Sequence, residues 1–438
     1  MKLFKRKLKL SKAKLLTCFG CLGVPVLVVV MFVADFYWRN RPVKIDIPEH
    51  AMPKVNARDD FLKAAALANQ MVHTSPMTWP WEKQQTETKQ DYALCAKDAE
   101  APIGALRAGL TRPYVGLNPR AVANGQSTTI PYLNLVRNLY GAAFHYHLIG
   151  DHATATEIRL DGMEFAAMLS HGGTVGEGDL TPGCFLVIAN IVEESISKLS
   201  SNQLDHVALR LEIIRSKLNN CSFLVEQKGN LYLQEFVDEL LKRGGPYNRF
   251  DDYRNAQHGY YTPNGLPPVK APDVWGWIKH EMRDKTELAH EMQNYYRDLA
   301  IEMSTSFHKT VKTRIPDDVE FSSERSLGTT FWAEHFQIQS MLDLYRLEVA
   351  LLRFRADNRK YPATLKELSP KYLVTIPVDP FSNNGPYRYH KTSDGKYLLY
   401  GLNKDMIDHG GVPGSYQGDM SLGLVAGNLD RKVKIPKK

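Results

Sequence analysis

An uncharged run of 20 residues, Leu15 to Ala34, constrains the fold of this chain more than any other feature of its sequence. As a helix, such a run spans about 30 Å, which is the thickness of the hydrocarbon core of a bilayer. Seven basic residues precede it within residues 1–14, and an aromatic segment follows it at residues 36–38. We therefore predict an uncleaved transmembrane anchor over residues 15–38, with a cleaved signal peptide as the alternative.

The distribution of charge orients the chain and excludes one class of partner. Basic residues favour the cytoplasmic side of a membrane helix, so we expect residues 1–14 in the cytoplasm and the bulk of the chain outside it. The formal net charge is +7, but without the seven N-terminal basic residues 48 basic side chains balance 48 acidic ones. No basic surplus remains for a phosphate backbone, and we predict no nucleic-acid partner.

Composition and proline content divide the rest of the chain. Residues 39–58 contain Pro42, Pro48 and Pro53 with few apolar residues, which is typical of a stalk. Residues 59–312 show helical periodicity, residues 313–328 are polar and indicate a linker, and residues 329–438 form a last unit. Only three cysteines lie beyond the anchor, so a disulfide scaffold is excluded.

The predicted helical domain consists of helices joined by short turns, which favours antiparallel pairs stacked in a solenoid-like array. Between the first two of these helices, Gly150 fits the position after a C-cap and Asp151 fits the next N-cap. The Gly-rich residues 171–183 predict a break, and Phe185, Ile188, Val192 and Leu199 indicate the helix that follows it.

The last unit is predicted to be α+β. Its long first helix carries two neighbouring apolar stripes, which need cover on more than one side. Residues 386–392 and 396–402 alternate like two strands around a Ser-Asp-Gly turn, and residues 420–425 could add a third. The fold class is therefore mainly α, with a membrane helix, a helical middle domain, and a C-terminal long helix packed on a small antiparallel sheet.

Residues 347–411 carry a series of motifs in a fixed order. A long helix ends at Tyr361-Pro362, a Leu-rich segment follows, and a turn of the form P-x-D-P-aromatic occupies 377–381. A strand entry with Gly385, Pro386, Tyr387 and Tyr389 comes next, and an Asp- and Gly-rich loop closes the series. This order resembles the C-terminal domain of the major pseudopilin of bacterial type II secretion. We expect the prepilin leader of that family to be absent, because the N-terminal segment does not match it.

The resemblance implies a bacterial envelope protein and a calcium site. In the family, the Asp-rich loop before the last strand binds calcium, and the matching positions here are Asp405 and Asp419, with Asp408 as an additional candidate. Hard oxygen ligands in a compact loop suit calcium, whereas the alternative is a solvated turn. Asp379 is expected to be structural, with its carboxylate folded onto nearby backbone amides.

The sequence lacks the catalytic motifs that would indicate an enzyme. It contains no complete HExxH, no GxSxG, no P-loop and no strand-GxGxxG-helix unit. His145, His147 and His152 lie close in sequence, but positions two apart on a helix point in different directions, so a shared metal is not expected.

These patterns together predict a non-enzymatic protein of the bacterial cytoplasmic membrane. Its pseudopilin-like domain and its helical domain would lie in the periplasm and act as a binding or scaffold module for an envelope protein. Two alternatives stay open. One is an accessory component of a type II secretion or type IV pilus system, and the other is an envelope enzyme with its site in the helical domain.

Overall fold

The computed structural model describes residues 43–48, 51–73, 89–116, 129–172, 175–189, 195–242, 285–304, 324–383, 385–392, 396–412 and 418–421, with a few single residues elsewhere. Within these ranges, no helix combines the length and the apolarity that crossing a membrane requires. Of the predicted anchor, Val26, Val29, Val30 and Val33 are described; they are helical and more than half exposed. The other residues of the segment 15–38 lie outside the described part of the chain.

Contacts divide the chain into two compact units. The first combines Met1–Asp46 with Glu235–Glu291, and in it the backbone N–H of Lys44 donates to Thr286 Oγ1 at 3.2 Å. The second combines Ile47–Gln234 with Met292–Lys438. Most of the predicted linker 313–328 lies outside the described residues, and the predicted domain boundaries stay a prediction.

The described residues are mainly helical, which confirms the predicted class at that level. In chain order the helices are α1 (Ala57–Asn69), α2 (Lys89–Asp98), α3 (Glu100–Leu110), α4 (Thr129–Leu148), α5 (His152–Leu169), α6 (Val175–Ala189), α7 (Ser201–Lys217), α8 (Cys221–Lys242), α9 (Lys285–Met303) and α10 (Glu324–Asn358).

Side-chain caps fix several of these helix ends. Asn56 accepts the backbone N–H of Arg58 at the start of α1, at 3.0 Å. Between α4 and α5, Gly150 has φ of 83°, and the Asp151 carboxylate accepts the N–H of Thr154 at 3.0 Å. The left-handed backbone favours glycine, and the cap satisfies an N–H that the first turn leaves without a partner. Both positions agree with the prediction.

The predicted break at residues 171–183 is shorter than expected. Helix α6 begins at Val175 and contains Pro182 in its interior. Because α6 contacts α4, α5 and α10, and Phe185 and Ile188 are fully buried, tertiary packing outweighs the poor helix propensity of this segment. Leu199, predicted to belong to the helix after the break, instead lies in the turn before α7.

Helix α5 lies at the centre of the helical array and contacts α3, α4, α6 and α7. Its Phe165 ring packs edge-on against Phe61 of α1 and Tyr132 of α4, with centroid distances of 4.8 and 5.3 Å. Gly162 allows a close approach of α6, because a Cβ at this position would lie 2.5 Å from Ile188 Cγ1. The core of the array therefore depends on both large rings and a missing side chain.

Helix α10 contacts α6 and α7 of the array, and it also contacts a 3-10 helix at Leu365–Leu368 and strand β2 (Tyr397–Tyr400). The stripe Leu344, Leu347, Leu351 and Phe354 is buried, and so is most of its neighbour. Cover on two sides is what the width of the apolar surface predicts.

The small sheet has the predicted hairpin order. Strand β1 (Arg388–Lys391) pairs antiparallel with β2, with Arg388 opposite Tyr400 and Lys391 opposite Tyr397. Met420 forms an isolated antiparallel bridge with Gly401, which extends the sheet by one pair. Residues 393–395 of the turn and 422–425 of the predicted third strand lie outside the described residues.

Candidate functional site

The three carboxylates predicted to bind calcium lie in one loop, and Asp419 is its buried centre. Asp419 is 1% exposed, and its carboxylate accepts the backbone N–H of Gly411 at 2.7 Å and that of His409 at 3.0 Å. Burial raises the pKa of this carboxyl above its usual value. Through these hydrogen bonds Asp419 holds two backbone N–H groups of the loop next to the end of the sheet.

Asp405 and Asp408 have different partners. Asp405 accepts the backbone N–H of Ile407 at 3.2 Å and lies 2.9 Å from His409 Nε2. Asp408 accepts the Tyr400 hydroxyl at 3.1 Å and the backbone N–H of Gly410 at 2.9 Å. Each carboxylate thus stabilises its own turn.

Within the described residues, no three acidic, histidine or cysteine side chains converge in an arrangement that could hold a metal ion. The structure brings Asp405, Asp408 and Asp419 into the same loop, while their oxygens point to amides, a hydroxyl, an imidazole and the Arg388 guanidinium. The calcium site stays a prediction.

Asp379 connects this loop with the turn that precedes the hairpin. It is fully buried, and it accepts the backbone N–H groups of Phe381 at 3.0 Å and Leu402 at 2.8 Å. Arg388 Nη1 lies 3.3 Å from its second oxygen. Burial raises its pKa to about 6, against the opposing effect of these two N–H donors and of Arg388. The expected turn is confirmed, and the contact with Leu402 gives Asp379 a longer-range structural role.

A charged network lies on the side of α5 that faces α3 and α7. Arg210 donates to Glu157 at 3.0 Å and to Asp161 and Glu164 at 2.9 Å each. Arg107 donates to the other oxygen of Asp161 at 2.7 Å. Because every buried carboxylate in this network meets a cation, the network joins three helices without leaving an unpaired charge.

A histidine–serine contact lies near the turn between α4 and α5. His147 Nδ1 is 3.0 Å from Ser195 Oγ, and the ring centroids of His147 and His152 are 5.3 Å apart. Ser195 is fully buried. His147 and His152 meet because the tight turn folds α5 back against α4, an approach that their sequence spacing alone does not reveal.

Arg159, a buried cation, lies on the side of α5 opposite to the charged network. Arg159 is 0% exposed, and within the described residues its Nε, Nη1 and Nη2 have no hydrogen-bond partner. Its guanidinium carbon lies 5.7 Å from the centre of the Tyr140 ring. Burial lowers the pKa of Arg159 to about 10, so the side chain stays charged at neutral pH.

Sequence reasoning did not single out Arg159. An arginine in the middle of an amphipathic helix is normally assigned to its exposed face. The sequence does contain one indication of its burial. Arg159 lies two residues from both Glu157 and Asp161, which places it on the side of the helix opposite to these two carboxylates.

Comparison with protein-family models, with curated proteins and with solved structures finds no match for this chain. The resemblance to the pseudopilin domain therefore rests on the motifs within residues 347–411.

Proposed function

We propose that this chain is a non-enzymatic, single-pass membrane protein of the bacterial envelope. The anchor at residues 15–38 would hold it in the cytoplasmic membrane. A solenoid-like helical array and a pseudopilin-like module would form its periplasmic part and act together as a binding or scaffold module. The uncharged run and its basic flank support the anchor, and the ordered motifs of residues 347–411 support the module.

The observation that carries the proposal is the double packing of α10. On one side the helix meets α7, where Arg346 Nε lies 2.8 Å from Glu212 and Arg353 Nε lies 2.6 Å from Asp205. On another side it packs on the 3-10 helix and β2. A helix shared in this way holds the array and the module in one fixed arrangement, which is what a scaffold surface needs.

The same packing makes a role in secretion the weaker of the non-enzymatic candidates. A subunit that polymerises through its long helix must keep an apolar face available for its neighbours. Here one stripe of α10 and most of the other are covered by the chain itself. An accessory role beside a secretion or pilus system remains compatible with this arrangement, because such a role does not require the helix to enter a filament.

A topology experiment tests the anchor. A reporter enzyme that is active only outside the cytoplasm is fused after Lys438, and in a second fusion a reporter that is active only in the cytoplasm is placed at the same position. We expect activity from the first fusion and none from the second, because positive charge is retained in the cytoplasm. Activity from the second fusion alone would contradict the proposed orientation.

A capture experiment tests the binding role. The full chain is cross-linked in intact membranes and purified, with residues 1–58 as the matched bait that contains only the anchor and the stalk. A scaffold retains at least one envelope protein that the short bait does not retain. If the two baits retain the same proteins, the array and the module bind no partner under these conditions and the scaffold proposal fails.

The contact between His147 and Ser195 favours an envelope hydrolase as the second candidate. An imidazole at hydrogen-bond distance from a hydroxyl is the arrangement that activates a serine nucleophile. The complete burial of Ser195 opposes this role. Labelling with a fluorophosphonate probe distinguishes the candidates: an enzyme is labelled in the wild type and not in Ser195→Ala, whereas a scaffold is labelled in neither.

A further inference from the structure

We infer that Arg159 is the anchor of a buried binding site for a small carboxylate, enclosed by α4, α5, α6 and α10. This site goes beyond the proposed scaffold function and does not depend on it. The inference rests on the burial of Arg159, the lack of partners for its guanidinium among the described residues, and the aromatic groups around it.

A buried charge without a counter-charge is costly in a folded protein, and such charges are normally paired. Arg159 cannot avoid this cost by losing its proton, since arginine stays protonated at neutral pH. It also cannot reach the carboxylates of its own helix, because Glu157 and Asp161 lie on the opposite side and already bind Arg210. The counter-charge that suits this position is therefore an anion from outside the described chain.

The surroundings of Arg159 favour an anion with a single charge. The Tyr140 ring lies beside the guanidinium, and Tyr345 is close enough to act on its ionisation. The Tyr345 hydroxyl donates to the backbone carbonyl of Ala189, at the end of α6. Arg107 and Arg210 bind the carboxylates on the opposite side of α5. A carboxylate neutralises one arginine, whereas a phosphate dianion would leave one negative charge uncompensated.

The geometry of the guanidinium favours a carboxylate as well. Arginine presents a planar fork of N–H donors, and two parallel hydrogen bonds to a carboxylate satisfy two of them at once. The Tyr140 ring lies 5.7 Å from the guanidinium carbon and is suited to an apolar group beside the anion. Since Arg159 is fully buried, the ligand must be small, and its exchange requires local opening of the helices.

Arg210 on the neighbouring helix α7 provides a matched control. It binds three carboxylates of α5, whereas Arg159, which belongs to α5, has no hydrogen-bond partner among the described residues. If Arg159 serves a ligand, Arg159→Met in sodium chloride should unfold at a temperature no lower than the wild type. Arg210→Met should unfold at a lower temperature, because it leaves the three carboxylates without their cation.

The ligand test uses the purified full chain, dialysed into sodium chloride and then moved to sodium acetate or sodium phosphate at equal ionic strength and pH 7. We expect acetate to raise the unfolding temperature of the wild type and of Arg210→Met by at least about 2 °C. Arg159→Met should show no such shift. An equal acetate shift in Arg159→Met, a shift with phosphate alone, or no acetate shift in the wild type would overturn the assignment.

A second measurement does not require any variant to fold. Equilibrium dialysis of the wild type with radiolabelled acetate should show saturable binding of one acetate per chain. Formate should compete with it, since the two carboxylates share the same planar group, and inorganic phosphate should not. Binding that does not saturate, or that phosphate removes as well as formate does, would contradict a carboxylate site at Arg159.

Discussion

Replacing Asp419 by alanine should destabilise the C-terminal loop by an amount that follows from its contacts. The carboxylate accepts two backbone N–H groups, from His409 and Gly411, and alanine would leave both without a partner. An unsatisfied buried donor costs about 1–3 kcal/mol. Because burial already raises the pKa of Asp419, removing the carboxylate also recovers part of its desolvation cost. We expect the free energy of unfolding to fall by about 2 kcal/mol.

Thermal unfolding of the purified chain, together with hydrogen exchange at residues 403–412, measures this effect. Asp408→Ala is the matched control, because the Asp408 side chain is 46% exposed and its loss should cost below about 1 kcal/mol. Asp419→Ala should speed exchange at Gly411, whereas Asp408→Ala should leave it nearly unchanged. If the two variants unfold at the same temperature and exchange equally, the central role of Asp419 in the loop is refuted.

The same variants test the calcium prediction. A calcium ion bound through Asp419 would raise the unfolding temperature of the wild type relative to chelator, and this difference would disappear in Asp419→Ala. Identical unfolding of the wild type in calcium and in chelator would dismiss the site. The loss of about 2 kcal/mol expected from the two amides applies in both buffers, so the structural role and the metal are separated.

Two further predictions concern packing and pH. Gly162→Ala should lower the free energy of unfolding by about 1–2 kcal/mol, because the added methyl group would meet Ile188. Gly104→Ala, which has open space around it, should raise the free energy of unfolding by up to about 1 kcal/mol. Urea unfolding compares the two variants, and equal effects would contradict the close approach of α5 and α6. Burial, aided by Arg215, lowers the pKa of His335 to about 4. A group whose pKa is lowered on folding favours the unfolded chain as it takes up its proton, so the contribution of His335 to stability should fall by up to about 3 kcal/mol as pH drops from about 6.5 to about 4. The raised pKa of Asp379 acts in the opposite direction over the same range, so the effect of His335 is measured as the difference between the wild type and His335→Gln. A difference that does not change with pH would contradict the burial of a neutral imidazole.

Features that depend on neighbouring residues could be predicted from the sequence. The Gly150-Asp151 turn, the 3-10 helix after Thr364 and the turn at Asp379 all rely on contacts within a few residues. Thr364 and Glu367 form a reciprocal capping box, which a four-residue pattern specifies. Such contacts can be recognised in the sequence because side chains a few residues away form the hydrogen bonds that these backbone groups need.

Features that depend on distant segments could not be predicted. Arg159 is buried next to Tyr140 on α4 and Tyr345 on α10. Since Tyr345 lies almost two hundred residues further along the chain, the sequence around residue 159 does not predict this contact. The start of α6 within a Gly-rich segment has the same origin, because its stability comes from burial against α4, α5 and α10. Local sequence patterns thus do not show which remote segments pack against each other.

The shared position of α10 has a consequence for the order of folding during synthesis. The face of α7 that α10 covers is complete at Lys217, but α10 begins only at Glu324. At about 5–20 residues per second, a ribosome needs roughly 5–20 s to make the intervening segment. During that interval the faces of α6 and α7 that later contact α10 lack this helix. A chain terminated before α10 would therefore be a candidate for chaperone binding or proteolysis, and ribosome stalling in this interval should increase aggregation.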